Sequence, residues 1–159
     1  MDENSRQSPG EARRRALKKL LARDRSQQEL CQLLRKEGFG EEQIRDAVEY
    51  ARSFGYVNDR RYAENYVMSA GKKKSRSAMR SFLQEKGVSP EHIEEALSGL
   101  PEEEGEVIRQ LLLKKAGAPH PMEEKELRRV FAYLARRGFA GNDIWRELKN
   151  FQETSGYTD

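Results

Sequence analysis

Three segments of the chain align with one another without a gap, and this internal repetition constrains the fold more than any other feature of the sequence. The segments are LRKEGFGEEQIRDAV from Leu34, LQEKGVSPEHIEEAL from Leu83 and LARRGFAGNDIWREL from Leu134. Their shared glycines, spaced 49 and 51 residues apart, are Gly38, Gly87 and Gly138. A period of this length is typical of helical repeat proteins, so the chain is predicted to consist of three related units.

Each shared glycine is predicted to turn the chain between two helices. A helix that ends at Leu-x-x-x-Gly has its glycine where the left-handed C′ conformation is needed, and the next apolar residue can close the turn against that helix. Two residues further on, Gly40, Ser89 and Ala140 occupy the N-cap position, and Pro90 suits the first turn of the following helix. An i, i+4 apolar stripe then marks that helix in each repeat: Ile44/Val48, Ile93/Leu97 and Ile144/Leu148.

A further helix is predicted upstream of each corner, which makes each repeat a three-helix unit. Its apolar positions at i, i+1, i+4 and i+5 are Ala16, Leu17, Leu20, Leu21; Tyr62, Ala63, Tyr66, Val67; and Val107, Ile108, Leu111, Leu112. Capping patterns agree with helix starts after Ser8, Ser26 and Asn58. The distance from each set to its corner glycine increases along the chain, so the first interhelix loop is predicted to lengthen from repeat to repeat.

We therefore predict an all-α fold: a tandem array of three imperfect three-helix repeats that forms an elongated, curved, solenoid-like molecule of either hand. The predicted boundaries are a disordered N-terminus at 1–8, repeats at 9–57, 58–98 and 106–151, a flexible joint at 99–105 and a disordered C-terminus at 152–159.

Composition and motif content argue against an enzyme. Hydrophobic and charged residues each make up 36% of the chain, which suits thin layers of amphipathic helices better than one deep core. Cys31 is the single cysteine, so neither a disulfide framework nor a Cys-rich zinc site is expected, and we interpret it as a buried small apolar residue. His92 and His120 are far apart, and no Walker-type phosphate loop occurs. We predict a protein without catalytic residues, metal or cofactor.

The sequence also indicates a cellular compartment. No apolar run reaches the roughly 20 residues that span a bilayer, and the N-terminal MDENSRQSPG lacks the hydrophobic core of a signal peptide. A single cysteine is typical of a reducing compartment. We expect a cytoplasmic monomer that does not contact a membrane.

Basic residues are unevenly distributed along the chain. Residues 58–88 and 107–139 each carry eight basic and three acidic residues, whereas residues 89–106 carry no basic and seven acidic ones. Basic patches can neutralise a phosphate backbone, and one occurs in each repeat. The residues predicted to contact DNA or a protein–DNA filament are Lys72, Lys73, Lys74, Arg76, Arg80, Arg128, Arg129, Arg136 and Arg137.

Other interpretations of these residues stay open. Each basic cluster can be the solvated face of an amphipathic helix. The stretch RSQQELCQLLRKEGFGEEQIRDAVEYA can be a helix-turn-helix, although its second helix opens with Glu41 and Glu42, which repel DNA. The chain can also be a free-standing nucleic-acid-binding module, or a protein scaffold that never meets DNA.

Four stretches make the chain resemble the RecX family of recombination regulators: ALKKLLARDRSQQELCQLLRKEGF, GYVNDRRYA between the first two repeats, LQEKGV and YLARRGF. The resemblance runs from Ala16 to Phe151. It implies a regulator that binds RecA, chiefly as a filament on single-stranded DNA, and lowers the ATPase, recombinase and co-protease activities of RecA in DNA repair and the SOS response. It also implies three tandem three-helix repeats without catalytic residues or a cofactor.

Two features differ from the family pattern. Where the family has Gly-Pro before the fifth helix, this chain has Lys74-Ser75-Arg76-Ser77, and its third repeat begins without the usual aromatic-containing segment. Ser75 is nevertheless a suitable N-cap residue, so a helix is still predicted to begin there.

Overall fold

The structure, a computed structural model, describes residues 9–154, and over that range the chain forms nine α-helices and no strand. In chain order the helices are α1 (Pro9–Ala22), α2 (Gln27–Lys36), α3 (Glu41–Ser53), α4 (Asp59–Ala70), α5 (Arg76–Glu85), α6 (Pro90–Leu97), α7 (Gly105–Ala116), α8 (Glu124–Arg136) and α9 (Gly141–Thr154). They form three consecutive groups of three, so the predicted all-α fold of three-helix repeats is confirmed.

The corners that join the second and third helices of each repeat share one backbone geometry. The glycines with φ near 90° at these corners are Gly38, Gly87 and Gly138. In each corner the glycine N–H donates to the carbonyl three residues earlier, and the next N–H donates to the carbonyl five residues earlier, which is a Schellman motif. The motif directs the following apolar residue inward, and all three of these residues are buried: Phe39, Val88 and Phe139.

Helix starts follow the predicted capping residues. Ser26 forms a full capping box with Glu29, in which each side chain accepts a hydrogen bond from the other residue's backbone N–H at 3.2 Å. Asn58, Ser75 and Ser89 each accept a hydrogen bond from the backbone N–H three residues later. The first loops lengthen along the chain as predicted, and they span residues 23–26, 71–75 and 117–123.

By their contacts, the described residues divide into two compact units. The first unit comprises residues 9–65 and Phe82–Ala96. Within it α1, α2 and α3 pack together around an apolar core. The buried residues of this core are Ala12, Ala16, Leu30, Leu34, Phe39, Ile44, Ala47, Val48, Ala51 and Val57.

Residues at the start of α2 form hydrogen bonds with the corner at Gly87, which belongs to the same unit. Oγ of Ser26 donates to the Lys86 carbonyl at 2.7 Å, and Nε2 of Gln28 donates to the Glu85 carbonyl at 3.1 Å. These carbonyls lie at the end of α5, where helical partners are missing. Side chains of the first repeat therefore complete a helix end of the second.

The predicted apolar set of α1 is buried only in part. The apolar set was expected to end at Leu21, but Leu21 is 87% exposed, whereas Ala12 and Ala16 are fully buried. Ala47 and Ala51 of α3 are fully buried in the same core. Small side chains on both helices allow their backbones to approach closely, so α1 buries Ala12 and Ala16 fully, while Leu20 packs against the core only in part.

The second unit comprises Tyr66–Ser81 and residues 97–154. Within it α7, α8 and α9 pack around a second core, whose buried residues are Ile108, Leu111, Leu112, Met122, Val130, Leu134, Phe139, Ile144, Leu148 and Phe151. Glu147 is 3% exposed, and both of its carboxylate oxygens accept hydrogen bonds from Nη1 of Arg109, at 3.1 and 3.2 Å. This pairing compensates the cost of burying the Glu147 carboxylate.

The ends of the chain differ in part from the prediction. Helix α9 extends to Thr154, so disorder from residue 152 onward is wrong for its first three residues. The reason is that Oε1 of Gln152 accepts a hydrogen bond from the Met122 backbone N–H at 3.1 Å. The predicted disordered segments 1–8 and 155–159 lie outside the described residues, as does the cap expected at Ser8. Within residues 9–154, no helix has both the length and the apolar character of a membrane span.

The third corner gives a test of this packing. A Cβ on Gly138 would lie 2.4 Å from Oγ of Ser75 and 2.7 Å from Cβ of Ala78, and φ there is +94°. We expect Gly138→Ala to lower the free energy of unfolding by about 2–4 kcal/mol, from backbone strain and overpacking together. Gly55→Ala is the matched control, because Gly55 also has positive φ but has nothing within 4 Å of its added Cβ.

Urea unfolding followed by circular dichroism measures both variants. The free energy of unfolding of the Gly55→Ala control is expected to fall by about 1–2 kcal/mol, from backbone strain alone. Equal losses in the two variants would contradict the close approach of Ser75 and Ala78 to the third corner.

Candidate nucleic-acid interface

The loop that joins α4 to α5 packs against the end of α8. The N–H of Ser75 donates to the Arg137 carbonyl at 3.0 Å, and Nη1 of Arg137 donates to the Lys73 carbonyl at 3.1 Å. Gly138 permits this approach because it has no Cβ to meet Ser75. Residues separated by 64 positions are thereby joined, and the loop that carries Lys72, Lys73 and Lys74 is attached to the end of α8.

One face of α8 extends this basic surface. Arg129, Tyr133, Arg136 and Arg137 are spaced at i, i+4, i+7 and i+8, which places them on one side of the helix. Two cations contact the Tyr133 ring: Nζ of Lys115 lies 4.9 Å from the ring centroid and Cζ of Arg137 lies 4.6 Å from it. Each such contact contributes about 0.5–1 kcal/mol at an exposed site, so Tyr133 helps to order both cations.

We call this set the α8 basic surface; its members are Lys72, Lys73, Lys74, Lys115, Arg129, Tyr133, Arg136 and Arg137. The four lysines, Arg129 and Arg136 are exposed, and Arg137 is half-buried. Six of the eight members were predicted from the sequence. Lys115 and Tyr133 were missed: the Lys114-Lys115 pair at the end of α7 was visible as a charge run, but the contacts with Tyr133 depend on helix packing.

Two other predicted residues lie elsewhere. Arg128 forms an ion pair with Glu124 one turn earlier, and both side chains are 78% exposed. A pair this exposed contributes less than about 1 kcal/mol, so it holds Arg128 only weakly. Arg80 is half-buried on α5. Neither residue lies on the side of α8 that carries Arg129, Tyr133 and Arg136.

Arg76, which was predicted to contact DNA or a filament, makes several contacts within the chain. Its guanidinium donates to the carbonyls of Leu97, Leu100 and Pro101 at 2.8–3.0 Å. Its backbone N–H donates to Oε1 of Glu104 at 2.6 Å. The segment predicted as a flexible joint is therefore tethered to the start of α5, and the charge of Arg76 faces the main chain rather than a phosphate.

We expect Arg76→Ala to lower the free energy of unfolding by about 2–4 kcal/mol, because it leaves three carbonyls without their charged donor. Lys72→Ala, at an exposed position in the loop that precedes α5, is the control and should change stability by less than about 0.5 kcal/mol. Urea unfolding measures both. A stable Arg76→Ala variant with weakened DNA or filament binding would restore the predicted contact role.

The residues considered for catalysis have structural partners. Cys31 is half-buried against the first core, and burial raises the pKa of its thiol. Nδ1 of His120 lies 2.7 Å from the Ala118 carbonyl and Nε2 lies 2.5 Å from Oε1 of Glu126. The hydrogen bond to Ala118 and then the one to Glu126 raise the pKa of His120. Residues 9–154 contain no group of three or more His, Cys, Asp or Glu suited to a metal ion.

His120 should make the stability of the second unit depend on pH. Both ring nitrogens face acceptors, so the protonated ring fits best, and its stabilisation is fully present below the ordinary pKa of about 6.5. That stabilisation is lost as the pH rises through the raised pKa. The melting temperature of the wild type should therefore fall more steeply above about pH 6.5 than that of His120→Gln. Parallel profiles would contradict this; His92→Gln serves as the control.

Comparisons with known proteins match the whole repeat array. Family models described as the first, second and third three-helix domains of RecX match residues 12–50, 58–97 and 102–148. The regulatory protein RecX of Amycolatopsis mediterranei is 34% identical over 148 residues, which cover 88% of this chain and 85% of that protein. The regulatory protein RecX of Trichlorobacter lovleyi is 34% identical over 139 residues, covering 84% and 90%.

Solved structures agree on the fold. The crystal structure of RecX from Lactobacillus salivarius superposes with a TM-score of 0.72 at 21% identity, and covers 91% of this chain and 97% of that one. A second crystal structure of a regulatory protein RecX has a TM-score of 0.68 at 24% identity, covering 89% and 71%. At these identities the likeness bears on the fold alone.

Proposed function

Because the chain belongs to the RecX family, we propose that it binds RecA, chiefly as a filament on single-stranded DNA, and lowers the ATPase, recombinase and co-protease activities of RecA in DNA repair and the SOS response. The observation that supports this proposal most directly is the α8 basic surface. A protein filament formed on DNA presents a row of phosphates, and this surface gathers cations from two distant parts of the chain to meet them.

The chemistry of the α8 basic surface suits phosphates rather than base edges. The lysines of the 71–75 loop are point charges on flexible stems, whereas Arg129 and Arg136 present planar forks that bind phosphate oxygens in pairs. Each phosphate that they neutralise releases condensed counterions, so the binding weakens as salt rises. Such contacts hold the chain on a polyanion without reading its sequence.

Inhibition of RecA requires that this chain bind one state of the filament more tightly than another. Contacts to successive RecA protomers through linked repeats add avidity, because the second contact becomes intramolecular once the first has formed. A regulator held in this way can hinder the subunit rearrangement that accompanies ATP turnover, or block filament extension. We propose that it acts as a cytoplasmic monomer without catalysis, cofactor or membrane contact.

An ATPase titration tests the proposal. RecA coated on single-stranded DNA is incubated with increasing amounts of this protein, and ATP hydrolysis and filament length are followed together. We expect hydrolysis to fall to a plateau that depends on the ratio of the protein to RecA. An unchanged rate and unchanged filament length at saturating protein would overturn the proposal.

The triple variant Lys72→Glu, Lys73→Glu, Lys74→Glu tests the α8 basic surface. We expect its affinity for the DNA-coated filament to fall by about tenfold or more, and the slope of log affinity against log salt to become shallower by roughly one unit per lost phosphate contact. Fluorescence anisotropy with labelled filaments at several salt concentrations measures both.

A matched control carries the same change of net charge at other exposed positions: Lys18→Glu, Lys36→Glu and Lys149→Glu. This control should retain most of the affinity. If the Lys72–Lys74 variant binds the filament as tightly as the wild type does, the basic loop has no role there, and a pure protein scaffold becomes the better explanation.

The α8 basic surface also favours one alternative, a free-standing nucleic-acid-binding module. That function predicts tight binding to bare single-stranded DNA without RecA and a steep dependence on salt. Weak binding with a shallow salt dependence on bare DNA, together with tight binding to the filament, would exclude it.

A further inference from the structure

The first unit carries a row of three aromatic rings at the end of α3: two are exposed and one, Tyr50, is half-buried. The rings of Tyr50 and Phe54 are 4.9 Å apart between centroids, and those of Phe54 and Tyr56 are 5.8 Å apart with only 21° between their planes. Phe54 is 61% exposed and Tyr56 is 48% exposed. We call Tyr50, Phe54 and Tyr56 the aromatic row. Large rings that remain in contact with water side by side are a feature of interaction sites.

The backbone beneath the aromatic row is fixed. Gly55 has φ of +73°, and the N–H of Tyr56 donates to the Ala51 carbonyl at 2.8 Å, so α3 ends in the same motif as the repeat corners. Val57 is 2% exposed and anchors the chain just beyond the row. The guanidinium of Arg61 donates to the carbonyls of Gly55 and Tyr56 at 2.8 and 3.3 Å. The rings are therefore presented on a preorganised turn, which lowers the entropic cost of binding.

An open cleft of about 580 Å³ adjoins the aromatic row and shares Tyr50 with it. Its other lining residues are Arg13, Glu42, Arg45, Asp46, Glu49 and Ser53. The Arg13 guanidinium lies 4.5 Å from the Tyr50 ring centroid and forms two hydrogen bonds of 2.9 Å with Asp46. This contact shows that a guanidinium fits between the Tyr50 face and a carboxylate of α3.

Charge distinguishes between the possible occupants. Helix α3 carries four carboxylates and two arginines. Asp46 and Glu49 are already paired with arginines of this chain, but the Glu42 carboxylate forms no hydrogen bond or ion pair with any residue between 9 and 154. Aromatic rows bind single-stranded bases where the surroundings are basic. The cleft is instead lined by the carboxylates of Glu42, Asp46 and Glu49 against the guanidinium groups of Arg13 and Arg45, so a phosphate there would meet a net negative charge.

We infer that the aromatic row and the cleft beside it form a docking site for a protein segment in which a lysine or arginine lies next to an apolar side chain. The apolar side chain packs on Phe54 and Tyr56, and the cation enters the cleft toward Glu42. The identity of the partner rests on the proposed function: if that function holds, the segment belongs to a RecA protomer and not to the DNA. The chain would thus contact protein through the first unit and phosphate through the second.

The double variant Phe54→Ala, Tyr56→Ala tests the site. Both side chains are exposed, so the fold should persist, which circular dichroism and urea unfolding check directly. We expect its affinity for RecA filaments on single-stranded DNA to fall by about tenfold or more, as for an aromatic hot spot, and its affinity for bare single-stranded DNA to stay within about twofold of the wild type. Leu21→Ala is the matched control, because it removes an 87% exposed apolar side chain from the same unit.

A charge variant separates protein from nucleic acid without touching an aromatic ring. If the occupant is a basic protein segment, Glu42→Lys weakens filament binding, and Glu42→Gln has a smaller effect in the same direction. If the occupant is DNA, Glu42→Lys strengthens binding to the filament and to bare DNA alike. Because Glu42→Lys changes filament affinity in opposite directions for the two occupants, it distinguishes protein from DNA even if the double aromatic variant is poorly folded.

Several outcomes would overturn the inference. These are wild-type filament affinity in a folded double variant, an equal loss on bare DNA, a gain of binding with Glu42→Lys, or a wild-type homodimer that the double variant loses in sedimentation experiments. If the wild type itself does not bind the filament, the proposed function fails together with the inference. If the wild type binds and the double variant binds equally well, only the docking site is refuted.

Discussion

The rest of the structure depends on two main-chain hydrogen bonds at each repeat corner, which are donated by the glycine N–H and by the N–H of the next residue. They end one helix, direct the next apolar residue into a core and set the start of the following helix, all without a side chain of defined chemistry. The three repeats can therefore differ at most positions and still share a corner. At Gly138 the missing Cβ has a second effect, because it lets Ser75 approach the end of α8.

Features that depend on local sequence could be predicted, and those that depend on packing could not. The glycine corners and the caps at Ser26, Asn58 and Ser89 involve residues within one turn, so their spacing shows them directly. The buried face of α1 was predicted only in part. Ala16 belonged to the predicted apolar set and is buried, but Ala12 was missed because alanine carries little hydrophobic signal, although its small size helps α3 to pack closely. Periodicity included Leu21, which helix packing leaves exposed.

Charge runs identified the basic residues but not the direction in which each one points. Lys72 and Arg76 are four positions apart and were given the same role, yet Lys72 is exposed and Arg76 binds three carbonyls of the 97–101 segment. The guanidinium of Arg76 is a good donor to the main-chain carbonyls at and just beyond the end of α6, and no local pattern reveals that these carbonyls lie nearby. The grouping into two units has the same origin, since Ser26 reaches a carbonyl 60 residues away.

The loop of residues 71–75 is fastened to α8 by its backbone, through the N–H of Ser75 and the carbonyl of Lys73. Neither bond uses the side chain of Lys72, Lys73 or Lys74. The side chains of Lys72 and Lys73 therefore take no part in this attachment, and the charge at these two positions can be raised or lowered one substitution at a time without loosening the loop. The position of the loop and the charge that it presents are separate properties here, so that charge is open to gradual adjustment over a wide range.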